Sequence, residues 1–230
     1  NPIEMSYQAP FVDAATSVDP VNRGNTFISY YSYGSVLGLA LDLSLRNEKK
    51  KLSLDGYMKS VWRTYGRQEK PYTINNLHKA LNSYAGKLFG DYFFEHYIYK
   101  SAMPNYKTLF KTVGIDLKQD SKKVFFGAST SNGIVNDNAQ IGSPAYKAGL
   151  NSGDKIIALD KHVVSNTNSV NAILSNYKID DSITIQFSRF NELKTATVRL
   201  IKDPRYSITT FEKASLKVTP KIVEKRKSWL

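Results

Sequence analysis

One change of period governs what this chain can fold into. Up to about Leu117 the apolar residues recur every three to four positions, whereas beyond the polar stretch Lys118 to Lys123 they alternate with polar ones. A helical period does not suit a strand, nor an alternating one a helix, so an all-α segment is followed by a β-containing one. The expected fold class is therefore α + β in two domains. The expected bounds are 1–117 for the helical part, 118–123 for a linker, 124–203 for the second domain and 204–230 for a tail.

Residues 1–25 carry Pro2, Pro10, Pro20 and Gly24 without a helical period and read as an irregular entry. Thr26 to Arg46 predicts a helix apolar on nearly every side (Val36, Leu37, Leu39, Ala40, Leu41, Leu43, Leu45), which implies burial between other elements. Ser53 is a suitable N-cap for a helix through Tyr65, with Leu54, Tyr57, Met58, Val61 and Trp62 on one side and Gly66 as its stop. Thr73 caps another, carrying Ile74, Leu77, Leu81 and Tyr84 up to Gly86. Asp91 reads as the cap of a short aromatic helix with Phe93, Phe94, Tyr97 and Ile98. A last helix follows Pro104 and closes at Gly114.

In the second part Ile183, Ile185 and Phe187 alternate with polar residues. After a turn at Asn191-Glu192, Ala196, Val198 and Leu200 do the same, which predicts a hairpin with one buried face. Ile134-Val135 and Lys155 to Leu159 read as further strands. Short helices are expected at Ser143 to Ala148 and about Asn168 to Asn176.

Composition narrows the chemistry. The chain has no cysteine, which removes disulfides and cysteine-bound zinc but leaves the compartment open. No apolar run reaches the roughly 18–20 residues that span a membrane. The net charge of +12 would suit a nucleic-acid partner, but only Lys49 to Lys51 and Lys221 to Lys227 form clusters, and solvated charge is the preferred reading. Three histidines, His78, His96 and His162, are present, and none has a second four residues away, as a helical His-Glu-x-x-His zinc site requires. There is no Gly-x-Ser-x-Gly elbow either. The expectation is a chain without a complete catalytic site of its own. It starts at Asn1 without an initiator methionine, and an upstream part is expected.

The run Gly142-Ser143-Pro144-Ala145-Tyr146-Lys147-Ala148-Gly149-Leu150-Asn151-Ser152-Gly153-Asp154-Lys155-Ile156 has a mechanical logic. Ser143 caps, Pro144 takes the first helical position, Gly149 ends the helix in a left-handed conformation, and Gly153-Asp154 turns into a strand. It resembles the bacterial type of PDZ domain over about Val124 to Leu200. The resemblance implies a partly open β-barrel with two short helices. It also implies a peptide that adds a strand beside a sheet edge, its terminal carboxylate received by backbone N–H groups. On that likeness Phe126, Gly127 and Ala128 would form the carboxylate loop, and Val170 and Leu174 would face the groove. The alternative is a PDZ fold used only for packing.

Thr26-Phe27-Ile28-Ser29-Tyr30-Tyr31-Ser32-Tyr33-Gly34, the helix ending Leu41-Asp42-Leu43-Ser44-Leu45-Arg46, and Ser53-Leu54-Asp55 together resemble the glycyl aminopeptidase family of zinc metallopeptidases, relatives of aminopeptidase N. The likeness extends through Phe110 to Leu117 and resumes at Lys227-Ser228-Trp229-Leu230. It implies removal of N-terminal glycine or alanine from peptides, with zinc and general base in an upstream catalytic domain. Tyr31, with Tyr30 as second candidate, would be the oxyanion donor of that parent enzyme. A phenol titrates at about 10 and is a neutral donor at neutral pH. The competing expectation is a non-catalytic PDZ protein that binds peptides.

Overall fold

A computed structural model describes residues 21–26, 30–48, 51–100, 102–119, 122–165 and 169–230. The described chain forms two compact units, one of residues 30–118 and 208–230, the other of 21–26 and 119–207.

The first unit is helical. Helix α1 (Tyr30–Asn47) is encircled only in its second half: Ala40, Leu43 and Leu45 are fully buried, whereas Tyr31 and Val36 are exposed. Helix α2 (Leu54–Thr64) begins where Ser53 Oγ accepts the Gly56 N–H at 3.1 Å. The carboxylate of Asp42 helps by accepting the Leu54 N–H at 2.8 Å while it pairs with Arg46. The buried face of α2 is narrower than its apolar stripe, because Tyr57 and Val61 are buried while Met58 and Trp62 are exposed. Helix α3 (Ile74–Ala85) starts in a capping box between Thr73 and Asn76.

Asp91 is not the cap that the sequence suggested. Gly86, at φ +102°, breaks α3, and the chain turns helical again at once as α4 (Lys87–Phe93), so Asp91 falls inside a helix. A single π-helical stretch, Phe94–Ile98, follows directly. The Asp91 carboxylate instead accepts bonds from Lys87 and Asn82 and meets His78 Nε2 at 2.9 Å. The opposite ring nitrogen of His78 lies 3.3 Å from the Tyr99 hydroxyl, and its ring stacks on Phe94. The bonds from Lys87, then Asn82, hold the Asp91 carboxyl down at about 2. Close packing of α4 on α3 requires Gly90, where a Cβ would lie 2.8 Å from the Asn82 backbone nitrogen. Leu41, Leu45, Tyr57, Val61, Leu81, Phe93 and Phe94 make the core there. Asn105 then caps α5 (Tyr106–Lys111), and strand β1 (Ile115–Gln119) follows.

The second unit is built on a six-stranded sheet flanked by a two-stranded one. Its strands are β2 (Val124–Phe125), β3 (Thr130–Ser131), β4 (Ile134–Val135), β5 (Lys155–Leu159), β6 (His162–Val163), β7 (Ser182–Arg189), β8 (Glu192–Arg199) and β9 (Ile201–Lys202). The main sheet runs β3-β4-β5-β7-β8 with β6 on β5, while β2 pairs with β9. The β7–β8 hairpin turns at Phe190-Asn191, one residue earlier than expected, with positive φ at both (51° and 63°). Two left-handed central residues give the turn whose twist matches paired strands. Helices α6 (Pro144–Lys147) and α7 (Val170–Leu174) pack on the sheet.

The Gly142-to-Ile156 run behaves as its residues dictate. Ser143 Oγ accepts the Tyr146 N–H at 3.1 Å, Gly149 takes φ +74°, and Leu150 is buried. Asp154, 2% exposed, accepts from the Asn151 N–H and from Arg189, which also donates to the Gly149 carbonyl. One buried ion pair thus fastens the helix-to-strand turn to the hairpin.

Residues 204–230 carry more structure than a tail. Strand β10 (Tyr206–Thr210) pairs with β1, and helix α8 (Pro220–Trp229) starts at the Thr219 cap with Pro220 in its first turn. Trp229 packs on the cluster of Leu43, Phe110 and Val113, and Arg226 donates to the carbonyls of Val113 and Gly114. Of the expected linker, residues 120–121 lie outside the described residues. Among the described residues, no helix is long and apolar enough to cross a membrane.

Candidate peptide-binding groove

A groove of about 770 Å³ opens in the second unit between the loop after β2 and helix α7. This size falls within the range of ordinary ligand sites. Phe126, Gly127 and Ala128 line one wall, and Asn171, Leu174 and Ser175 line the other from α7.

The loop wall offers backbone donors. The Phe126 carbonyl accepts the Ala145 N–H at 2.9 Å, and the Gly127 carbonyl accepts the Gln140 N–H at 2.8 Å. In a planar trans peptide the N–H of the next residue points opposite to the carbonyl. The Gly127 and Ala128 N–H groups therefore point away from those partners, and among the described residues neither has a hydrogen-bond acceptor. Two adjacent outward N–H groups form a concavity that suits a carboxylate. Gly127 is required for it: φ is +85°, and a Cβ there would lie 2.1 Å from the Ser143 Cβ.

The next stretch offers a strand edge. The Ser129 carbonyl accepts the Asn136 N–H, and β3 stands at the end of its sheet. Val135, opposite Thr130, spends its own N–H and carbonyl on Asp154 and Gly153. Thr130 consequently turns its backbone groups to the open edge, where an extended chain can pair.

On the helix wall, Val170 and Leu174 part company. Val170 is 1% exposed and packs in the core with Ile173, whereas Leu174 reaches the groove beside Asn171 and Ser175. Spacing alone put Val170 and Leu174 on one side. The single turn of α7 is rotated so that its most apolar edge meets the sheet. Tyr177 also lines the groove, but its hydroxyl donates to Asp160 at 2.7 Å, and burial with that bond pushes its phenol up to about 12.

Three cations that the sequence reading did not assign complete the lining: Lys122, Lys123 and Arg205. The β2–β9 ladder, with Val124 opposite Lys202, brings Arg205 beside the lysines. The Asp203 N–H donates to the Lys123 carbonyl at 3.0 Å, and its carboxylate, 5% exposed, takes a forked bond from Arg205. That bond holds the Asp203 carboxyl below the usual range despite burial. The guanidinium also lies over the Phe125 ring at 5.7 Å.

The other candidate residues lie in the helical unit. Tyr31 is 74% exposed on the first turn of α1. Tyr30 opens that helix, and its side chain lies outside the described residues. Tyr33 turns inward, and burial raises its phenol. Among the described residues, no three His, Cys, Asp or Glu side chains converge on a point that could hold a metal ion.

Residues 112–200 match the PDZ domain family. The second unit is thus a PDZ domain, preceded by a helical segment, and its sheets do not close into a barrel. An aminopeptidase N family protein from Idiomarina loihiensis is similar in structure, with a TM-score of 0.72 and 27% identity, covering 91% of this chain and 37% of that one. Serine protease Do-like HtrA of Lactococcus lactis subsp. cremoris and that of subsp. lactis are each 30% identical over 92 residues, 38% of this chain. The chain spans 23% and 22% of those two relatives. A PDZ domain within a peptidase-associated fragment is the description these findings support.

Proposed function

We propose that this chain is the C-terminal part of a zinc-dependent aminopeptidase that removes N-terminal glycine or alanine from peptides, and that its PDZ groove receives a peptide strand. The observation that carries the reading is the likeness to an aminopeptidase N family protein along nearly all of the chain, helical and PDZ parts together. Among the described residues no three His, Cys, Asp or Glu side chains could together hold a metal ion. No two of its three histidines stand four apart, as a helical His-Glu-x-x-His site requires. Zinc and general base belong, in this reading, to an upstream catalytic domain. Tyr31 supplies the donor to the oxyanion that forms on the substrate carbonyl, with Tyr30 as second candidate. Tyr31 stands 74% exposed on the first turn of α1.

The test is the size and zinc content of the protein recovered from its source cells with an antibody to this chain. The expected species is much heavier than this chain, holds about one zinc, and cleaves glycyl and alanyl peptides. In it, Tyr31→Phe should lower kcat by about 100-fold, the usual cost of one oxyanion donor. A metal-free species of this chain's own size would overturn the enzyme reading. It would leave the non-catalytic peptide binder, which the groove, formed wholly by this chain, also supports.

A further inference from the structure

We propose that residues 21–25 form a clasp on the groove, and that Asn25 is the positioning residue through which this clasp sets the carboxylate loop. The inference rests on the reading of the groove as a peptide site and adds how that site is held ready. Residues 21–25 lie far outside the matched stretch 112–200, yet they belong to the same compact unit.

Three hydrogen bonds fasten the clasp. The Val21 carbonyl accepts the Asn138 N–H at 2.9 Å. Asn25, in the single helical turn Arg23–Thr26, donates its Nδ2 to the Ala139 carbonyl at 2.9 Å. Its Oδ1 accepts the Ile141 N–H, also at 2.9 Å. These last two bonds flank Gln140 as a residue of a parallel strand flanks the residue opposite, through the carbonyl before it and the N–H after it. A side-chain amide can do this alone because it carries a donor and an acceptor in one plane. Asn25 is steadied in turn, since its Nδ2 also donates to Asn22 Oδ1 at 2.9 Å.

Gln140 is where the clasp meets the loop. It lines the groove, and its N–H donates to the Gly127 carbonyl at 2.8 Å. That carbonyl and the Ala128 N–H lie on opposite sides of one peptide plane, so whatever holds the first aims the second. Residues 138–140 belong to no helix or strand and take their shape from such bonds. Asn138 Oδ1 anchors the far side by accepting the Ser152 N–H at 3.0 Å. Without Asn25 the loop would have to be ordered when a carboxylate arrives, which weakens binding. Linkage makes the effect reciprocal: a carboxylate that fixes the Ala128 N–H also fixes the Gly127 carbonyl and tightens the clasp.

The experiment is fluorescence anisotropy on the full chain, joined to amide hydrogen exchange read residue by residue. The probes are a labelled peptide ending in Val as a free acid and the same peptide as its C-terminal amide. Asn25→Ala should weaken the free acid about tenfold, the scale of one or two hydrogen bonds, and leave the weaker binding of the amide unchanged. Asn25→Asp, of equal size but without the donor to Ala139, should do likewise. In both variants the β7 amides should keep their protection while the Gln140 amide loses its own. In the unaltered chain, the free acid should slow exchange at Asn138 and Ile141, whose N–H groups the clasp accepts; a merely structural role would leave them indifferent to peptide. Unchanged affinity in Asn25→Ala, or equal weakening of acid and amide, would overturn the inference and leave the peptide reading standing. Lost protection throughout β7 would make Asn25 a residue of general stability and overturn its positioning role. A chain that binds neither peptide would overturn the peptide reading, and the inference with it.

Discussion

The two units differ in what they leave unpaired. In the helical unit polar chemistry is largely closed on itself: Asp91 is engaged by Lys87, Asn82 and His78, Asp42 by Arg46 and the α2 N-terminus, and Arg226 by two carbonyls and Glu212. In the PDZ unit side chains are equally well tied, as with Asp154 and Arg189, yet adjacent backbone N–H groups and a strand edge stay open. A site made of side chains needs every member present, and the described residues of the helical unit bring no metal-ligating set together. A site made of main chain needs only the right bends, and one short loop supplies them. The difference explains why one unit contains a whole candidate site and the other at most part of one.

Three substitutions would break or sharpen this contrast. The largest effect is expected from Gly127→Val. A β-branched side chain at φ +85° would meet Ser143, and a cost of about 4 kcal/mol is expected. Amide hydrogen exchange should show protection falling across 124–200 while helical amides keep theirs. Loss in both units together would show that they do not unfold separately. Next is Leu81→Ala, fully buried under α2 and α4, at about 3 kcal/mol. Here the helical amides should lose protection and peptide binding to the PDZ groove should persist. Abolished peptide binding would mean that the groove depends on the helical core.

The smallest effect belongs to acid. Asp91 falls from an ordinary 3.8 to about 2 through the bonds from Lys87, Asn82 and His78. A depressed carboxyl stabilises the fold above its unfolded value and loses that contribution as pH drops from about 4 to about 2. Asp91→Asn should remove this acid limb from a pH series of melting temperatures by lowering the value modestly at pH 7, the two proteins converging as pH falls toward 2. An unchanged limb would assign it to other carboxylates.

Much of this was legible in the sequence, for local reasons. Ser53, Thr73 and Ser143 act on donors within three residues, so their positions predict the helix starts directly. The reading failed where a partner lay far along the chain. Asp91 looked like a cap because aspartate before an apolar run usually is one, and only the restart after Gly86 placed it inside a helix. Phe190 has no composition cue for a left-handed turn; the pairing of β7 with β8 imposes it. Residues 204–230 read as a tail, yet Trp229 packs on the cluster around Leu43. The loop of Phe126, Gly127 and Ala128 was readable as a motif, but Arg205 reaches the groove only through the β2–β9 ladder.

The outward N–H groups of Gly127 and Ala128 have a consequence for how such a groove changes over time. Every residue but proline owns the same donor, so the loop conveys grip without information: a chain end held there would be held whatever that chain encodes. Discrimination must then be written elsewhere, on the walls, by side chains that can be exchanged without moving the loop. Substitutions at 171 and 175, exposed on the helix wall, would redraw the ligand repertoire in small steps, while position 127 is locked by the approach of Ser143.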